Sequence, residues 1–304
     1  MHDIFISIII GIIEGLTEFL PVSSTAHIRI AQQLFHIGLD DPYWKMYAIV
    51  IQLGAVMCLP VYFWDRILKF LRTFPRGSAG DRTILNHPLS LVMIAFVCTA
   101  GPAFLLKKVI SANLENLTVI GAALIIGGAI MWAVDALFRS PNTLEMEAMS
   151  LPQAIWIGIA QITSAVFPGT SRSMSTIAAG QIAGMSRSAA LEFSFFLSIP
   201  TMTVATLYDL LKTLKPGHET AGLAPLTMDA HRWLVLAIGF IVSFIVALAV
   251  VAWFMQWVRR RGFAPFAVYR IILGILVLLL LRNVATAHQT TVESQPSTSY
   301  SVVK

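Results

Sequence analysis

The stretch WLVLAIGFIVSFIVALAVVAWFMQWV, residues 233–258, runs for 26 positions without a charged side chain. A helix needs about 20 consecutive apolar residues to cross the hydrocarbon core of a bilayer, so this segment is predicted to span a membrane. Working outward, five more segments qualify: Met46–Trp64, Leu89–Leu106, Leu117–Val134, Phe193–Tyr208 and Phe263–Leu281. The whole chain agrees with them. Of its 304 residues 57% are hydrophobic and 12% charged, with mean hydropathy +0.76. Soluble domains carry about 25% charged residues, and outer-membrane strands alternate over about 10 residues instead of running apolar for 20. The expected fold is therefore an all-α polytopic membrane bundle.

The net charge of +5 needs no nucleic acid to explain it, because basic residues in membrane proteins gather in cytoplasmic loops. Arg66, Lys69, Arg72, Arg76 and Arg82 crowd one loop and Arg259, Arg260 and Arg261 another. With six crossings these loops share a side, expected to be cytoplasmic with both termini outside, although Lys212, Lys215 and Arg232 weaken the asymmetry. Tyr43, Trp44, Tyr62, Trp64, Trp253 and Trp257 stand at span ends and read as interfacial anchors. Cys58 and Cys98 lie inside apolar runs and read as small core residues. The start of the chain lacks the basic region and cleavage site of a secretory signal. Residues 286–304, rich in Ser, Thr and Gln, are expected to form a disordered polar tail.

Two stretches, about Ile4–Ile37 and Leu151–Met185, are apolar but interrupted by Pro, Gly, charge and clustered hydroxyls, and read as broken or re-entrant helices. Irregular backbone at membrane depth survives only where protein or a water-filled cavity satisfies it, which marks these stretches as the expected site. They also resemble each other. Gly11, Glu14, Pro21 and Ser24 match Gly158, Gln161, Pro168 and Ser171 at a common offset of 147. Each half continues into three spans, so the reading is an inverted repeat, about 1–145 and 146–285, within one transmembrane domain of residues 1–285. Transporters commonly share this architecture.

In the first stretch Glu14 and Glu18 stand one helical turn apart on one face. Burying a pair of like charges requires a cation or a shared proton, and a divalent ion suits carboxylate oxygens; the alternative is that one Glu is solvated at the interface. Pro21 then ends the helix, and Ser23, Ser24, Thr25 and His27 follow. The hydroxyls suit caps for the resuming helix, while the Ser24–His27 spacing also suits nucleophile activation. A lone buried His is as readily structural. In the second stretch Pro168, Gly169, Thr170, Ser171, Arg172, Ser173 and Thr176 bring free amides, hydroxyls and a guanidinium to a helix start, an arrangement that binds anions. Arg172 could equally pair with Glu14 or Glu18. Arg187, Glu192 and Arg270 read as structural, Gln52 and Pro200 as cavity-lining or helix-shaping, and Asp135 and Asp209 as solvated.

The runs EGLTEFLPVSSTAH (14–27) and PGTSRSMST (168–176) resemble the two signature motifs of the bacterial undecaprenyl-diphosphatase, or bacitracin-resistance, family. The likeness extends through residues 51–54, 192–195 and 266–270, to about residue 283; Ala26 stands where many members carry Gly. The resemblance implies hydrolysis of undecaprenyl diphosphate to undecaprenyl phosphate and inorganic phosphate, recycling the lipid carrier for peptidoglycan. It implies a magnesium or calcium ion, a place in the bacterial inner membrane and an active site opening to its outer face. On this footing Glu14 and Glu18 hold the metal or handle protons, and Arg172 grips phosphate. Ser171, Ser173 and Thr176 assist it, with Ser23, Thr25, Gly169 and Thr170 completing the cradle. Ser24 or a water at the metal attacks, and His27 moves a proton. The competing class is transport, as a lipid-phosphate flippase or proton-coupled carrier, which the hydroxyl-and-arginine cluster argues against. Oligomeric state stays open, with a homodimer compatible.

Overall fold

A computed structural model describes residues 2–38, 41–78, 80–113, 116–214 and 228–293. Helices run in the order α1 (His2–Thr17), α2 (Ser24–Leu34), α3 (Pro42–Val56), α4 (Cys58–Tyr62), α5 (Trp64–Thr73), α6 (Pro88–Leu105), α7 (Lys107–Asn113) and α8 (Leu117–Leu137). After a short 3₁₀ turn at Met146–Ala148 come α9 (Leu151–Val166), α10 (Arg172–Ile182), α11 (Arg187–Leu214), α12 (Ala230–Arg260) and α13 (Ala264–Glu293). Among the described residues six helices or helix pairs are long and apolar enough to cross a membrane: Pro42–Tyr62, Pro88–Leu105, Leu117–Leu137, Arg187–Leu211, Ala230–Arg260 and Ala264–Leu281. The chain is a multi-pass helical membrane bundle, as its hydropathy predicts.

Where boundaries differ from expectation, local chemistry explains it. The first span breaks at Met57 between α3 and α4, because Pro60 cannot donate to the carbonyl of Val56 and its ring crowds it. The fourth span starts earlier than Phe193 because its charges find partners instead of ending the helix. Arg187 donates to Asp135 at 2.6 Å and Glu192 takes Arg66 at 2.8 Å. Asp135 is therefore buried and paired, not solvated. Tyr43 is likewise buried, its hydroxyl donating to the carbonyl of Arg232 at 2.9 Å, so it is no lipid-facing anchor. Helix α13 continues to Glu293, so the first part of the expected tail is helical; a formed helix propagates at little cost per residue. Residues 294–304 and Lys215 lie outside the described residues.

The packing is paired between the halves. Helix α1 runs along α12 and α9 along α6; α3 meets both α11 and α12, as α11 meets both α3 and α6; α8 and α13 pack on each other. Exchanging first-half for second-half helices maps these contacts onto one another. The two broken stretches become helical hairpins, α1–α2 and α9–α10, whose breaks meet inside the bundle: Ser173 at the second break donates to the carbonyl of Leu20 at the first, at 3.1 Å.

Candidate active site

Both breaks end the same way. Ser23 caps α2 and Ser171 caps α10, each accepting a backbone N–H three residues on at 3.4 Å, and each at positive φ, 74° and 71°. Positive φ is uncommon outside glycine and costs about 1–3 kcal/mol, so the surroundings impose it. The expected register slips here by one residue. Pro21 and Pro168 still correspond, but an added residue in the second break pairs Ser23 with Ser171 and sets Ser24 beside Arg172 in the repeat.

The freed carbonyls of the breaks have a common donor. Arg270, fully buried on α13, donates to Pro21 at 3.0 Å, to Gly169 at 3.0 Å and to Ala123 at 3.2 Å. It therefore ties both breaks to α8. This fits the structural reading of Arg270 and gives it content: an arginine inside an apolar run is costly, and here it satisfies backbone carbonyls. Gly169 occupies φ +98°, and a Cβ there would press on the backbone of Ile120.

Between the breaks opens a cavity of about 500 Å³. Its polar floor holds Glu18, Ser23, Ser24, Thr25, Gly169, Ser171 and Arg172. Ser24 Oγ donates to Glu18 Oε2 at 2.7 Å, and Arg172 Nη2 lies 3.3 Å from Glu18 Oε1. Arg172 also donates to the carbonyl of Ser194 at 3.2 Å. Gln52 reaches Glu18 at 3.5 Å and lines the floor. The helices α2 and α10 both begin at this floor, so their first-turn amides and positive dipole ends face the same space. The wall above is apolar, with Phe96, Ala103 and Phe104 on α6 and Met202, Val204 and Ala205 on α11, and Lys107 and Asp209 stand further along.

Several expected site residues sit elsewhere. His27 does not meet Ser24. Its Nδ1 bonds to the carbonyl of Ser23 at 2.7 Å and its Nε2 to the hydroxyl of Tyr269 at 2.6 Å, with the two rings stacked 5.6 Å apart. A carbonyl only accepts, so in the neutral ring Nδ1 carries the proton and Tyr269 donates to Nε2. Ser173 and Thr176 are fully buried; Thr176 donates to Ser194 Oγ at 2.7 Å, and Ser173 serves the link between breaks. Neither they nor Thr170 line the cavity.

Glu14 is buried and does not line the cavity, and among the described residues neither carboxylate oxygen has a hydrogen-bond partner. Its counterpart at offset 147, Gln161, is a neutral amide donating to Thr99 at 3.2 Å and to Thr201 at 3.3 Å. Among the described residues no group of three or more His, Cys, Asp or Glu gathers as a metal cage. The donor set is thus two carboxylates one turn apart, one of them orphaned.

The family described as Bacitracin resistance protein BacA matches residues 7–276 of the chain. An undecaprenyl-diphosphatase of Koribacter versatilis (strain Ellin345) is 63% identical over 280 residues, spanning 91% of this chain and 98% of its own length. One from Rhodopseudomonas palustris (strain BisA53) is 40% identical over 281 residues, spanning 92% and 98%. One from Caldanaerobacter subterraneus subsp. tengcongensis is 39% identical over 274 residues, spanning 90% and 94%. With both motifs contributing to one floor and the match reaching into all six spans, the chain belongs to the bacitracin resistance protein BacA family.

Proposed function

We propose that this protein removes the terminal phosphate of undecaprenyl diphosphate, releasing undecaprenyl phosphate and inorganic phosphate. The observation that carries the reading is the Ser24–Glu18 hydrogen bond of 2.7 Å with Arg172 on the same carboxylate. A hydroxyl bound to a base beside a guanidinium is what phosphoryl transfer needs and a carrier does not. The apolar wall between α6 and α11 suits a prenyl chain, which at about 0.8 kcal/mol per buried CH₂ stays in the bilayer.

In the proposed reaction the diphosphate lies with its terminal phosphate over the starts of α2 and α10. Arg172 turns from Glu18 toward the phosphate oxygens, where its planar fork gives paired bonds. Ser24 Oγ attacks the terminal phosphorus as its proton passes to Glu18. The bond to the bridging oxygen breaks and undecaprenyl phosphate leaves; water then releases phosphate from Ser24. Glu14 and Glu18 would hold a magnesium or calcium ion, since hard cations take carboxylate oxygens. The ion would supply charge neutralisation. The orphaned oxygens of Glu14 support that placement.

The protein is assigned to the bacterial inner membrane with the cavity facing outward. Helix α11 begins at Arg187, beside Arg259, and its far end reaches the cavity at Asp209. The arginine-rich loops and the cavity therefore stand at opposite ends of the bundle, and the positive-inside rule puts the loops in the cytoplasm. The test is phosphate release from polyprenyl diphosphate by purified protein in detergent, with magnesium or calcium and with chelator, beside Arg172→Ala. Chelator-sensitive release that the variant lacks is the expected result. Protein that binds the lipid but releases no phosphate with either metal would indicate carriage instead.

A further inference from the structure

At the end of the bundle away from the cavity, a second recess of about 360 Å³ is walled by Phe138, Arg139, Ser186, Arg187, Ser188 and Arg259. Among the described residues three guanidiniums line it and no carboxylate does. Asp135 behind it takes Arg187 at 2.6 Å through Oδ1 and the N–H of Phe263 at 3.0 Å through Oδ2. Glu192, which shares a neighbouring recess with Arg259, is held by Arg66 at 2.8 Å. Among the described residues Arg139 and Arg259 make no ion pair or hydrogen bond. Arg259 also shares the neighbouring recess with Asp65, but the lining of this recess itself carries only positive charge.

The recess is also preset. Ser186 caps α11, its Oγ accepting the N–H of Ala189 at 3.1 Å, so the amides of Arg187 and Ser188 have no partner within the helix. The loop in front is strapped down. Asn142 donates to the carbonyl of Gly184 at 2.8 Å and Ser186 to that of Thr143 at 2.8 Å. Ser186 Oγ also donates to the carbonyl of Leu144 at 2.8 Å and meets Ser188 Oγ at 3.2 Å, so the recess offers an anion its two unpaired guanidiniums and the open amides at the positive end of a 28-residue helix, which fit a phosphate group. The rim indicates its source: Phe138, which lines the recess at the end of α8, is 43% exposed, and Leu137 next to it in the chain is 76% exposed. A dissolved anion has no use for an apolar rim, whereas acyl chains do.

We propose that this recess binds the phosphate of an anionic membrane lipid, at the opposite end of the bundle from the cavity. The test uses the full chain in neutral detergent, titrated with mixed micelles containing dioleoylphosphatidylglycerol or dioleoylphosphatidylcholine, or with inorganic phosphate. Unfolding midpoint and lipid retained in native mass spectrometry are the readouts. Phosphatidylglycerol should raise the midpoint and phosphatidylcholine should not. Arg139→Gln/Arg259→Gln should weaken apparent phosphatidylglycerol binding at least about tenfold, because it removes two charge-assisted contacts. Its lipid-free midpoint should stay unchanged. Arg260→Gln/Arg261→Gln, with the same change of charge outside the recess, should stay within about threefold of wild type. Equal weakening in both double variants would reduce the effect to diffuse charge and overturn the site. No response to phosphatidylglycerol, or an equal response to inorganic phosphate, would overturn the lipid.

Discussion

Ser24 and Glu18 lie on opposite sides of the Pro21 break, yet their side chains share a 2.7 Å hydrogen bond. The break folds the chain back so that a hydroxyl from the start of α2 meets a carboxylate just past the end of α1. If the two act as one unit, Ser24→Ala and Glu18→Gln should each lower phosphate release by about 10³-fold, within the range for general-base and nucleophile losses. The double variant should fall no further than the worse single one. Steady-state rates on a polyprenyl diphosphate check this, and losses that multiply would separate the roles.

Arg172 holds Glu18 and the carbonyl of Ser194 with different nitrogens, a reach that only a fork has. Arg172→Lys keeps the charge but cannot make paired bonds. We expect kcat/KM to fall about 100-fold, an amount matching two lost charge-assisted bonds. Lipid binding with unchanged affinity for phosphate would contradict the assignment.

His27 spends both ring nitrogens outside the cavity, on Ser23 and Tyr269. His27→Gln and Tyr269→Phe are therefore expected to stay within about tenfold of wild type in kcat, far from the losses of a general acid or base. The limbs of the pH–rate profile should not move. A pH limb lost with His27 would restore the proton-transfer role that its sequence position suggests.

Glu14 has no hydrogen-bond partner for either oxygen. Chelator should abolish turnover, and Glu14→Gln should raise the half-saturating magnesium concentration at least about tenfold, because carboxylate charge governs affinity for hard cations. Magnesium titrations of wild type, Glu14→Gln and His27→Gln decide it: only the first substitution should shift the midpoint.

Arg270 satisfies three backbone carbonyls. Arg270→Met takes that donor from the break carbonyls of Pro21 and Gly169, at about 1–3 kcal/mol each, while Ala123 keeps its bond within α8. Gly169→Ala forces a side chain into positive φ, at about 1–3 kcal/mol. Both variants should lower the unfolding midpoint and, by loosening the breaks, activity with it.

The spans were legible because hydropathy adds over some 20 residues, and one charge or one proline changes the sum little. Charges near span ends misled the boundary at Phe193, since a sequence does not say that Arg187 will meet Asp135 across 52 positions. The floor of the site was legible for a local reason: Pro21 and Pro168 announce breaks, and hydroxyls after a break fall at a helix start. Direction was not. Once the chain turns at a break, spacing no longer says where a side chain points, so Ser24 went to Glu18 while His27 went to a tyrosine 242 positions away. Arg270 could not be assigned because its partners are carbonyls, which every residue has.

Helix α13 brings the arginine that fastens the two breaks, and it follows in the chain every other helix that builds the cavity. During synthesis the serines, the carboxylates and Arg172 all leave the ribosome before the residue that secures them. Each hairpin must therefore rest in the membrane half-assembled, its bent backbone lacking that donor, until the closing helix is inserted. Catalytic competence then comes as a final event of biogenesis, so a chain stalled before position 270 carries every reacting group and still lacks the fastener that makes them an active site.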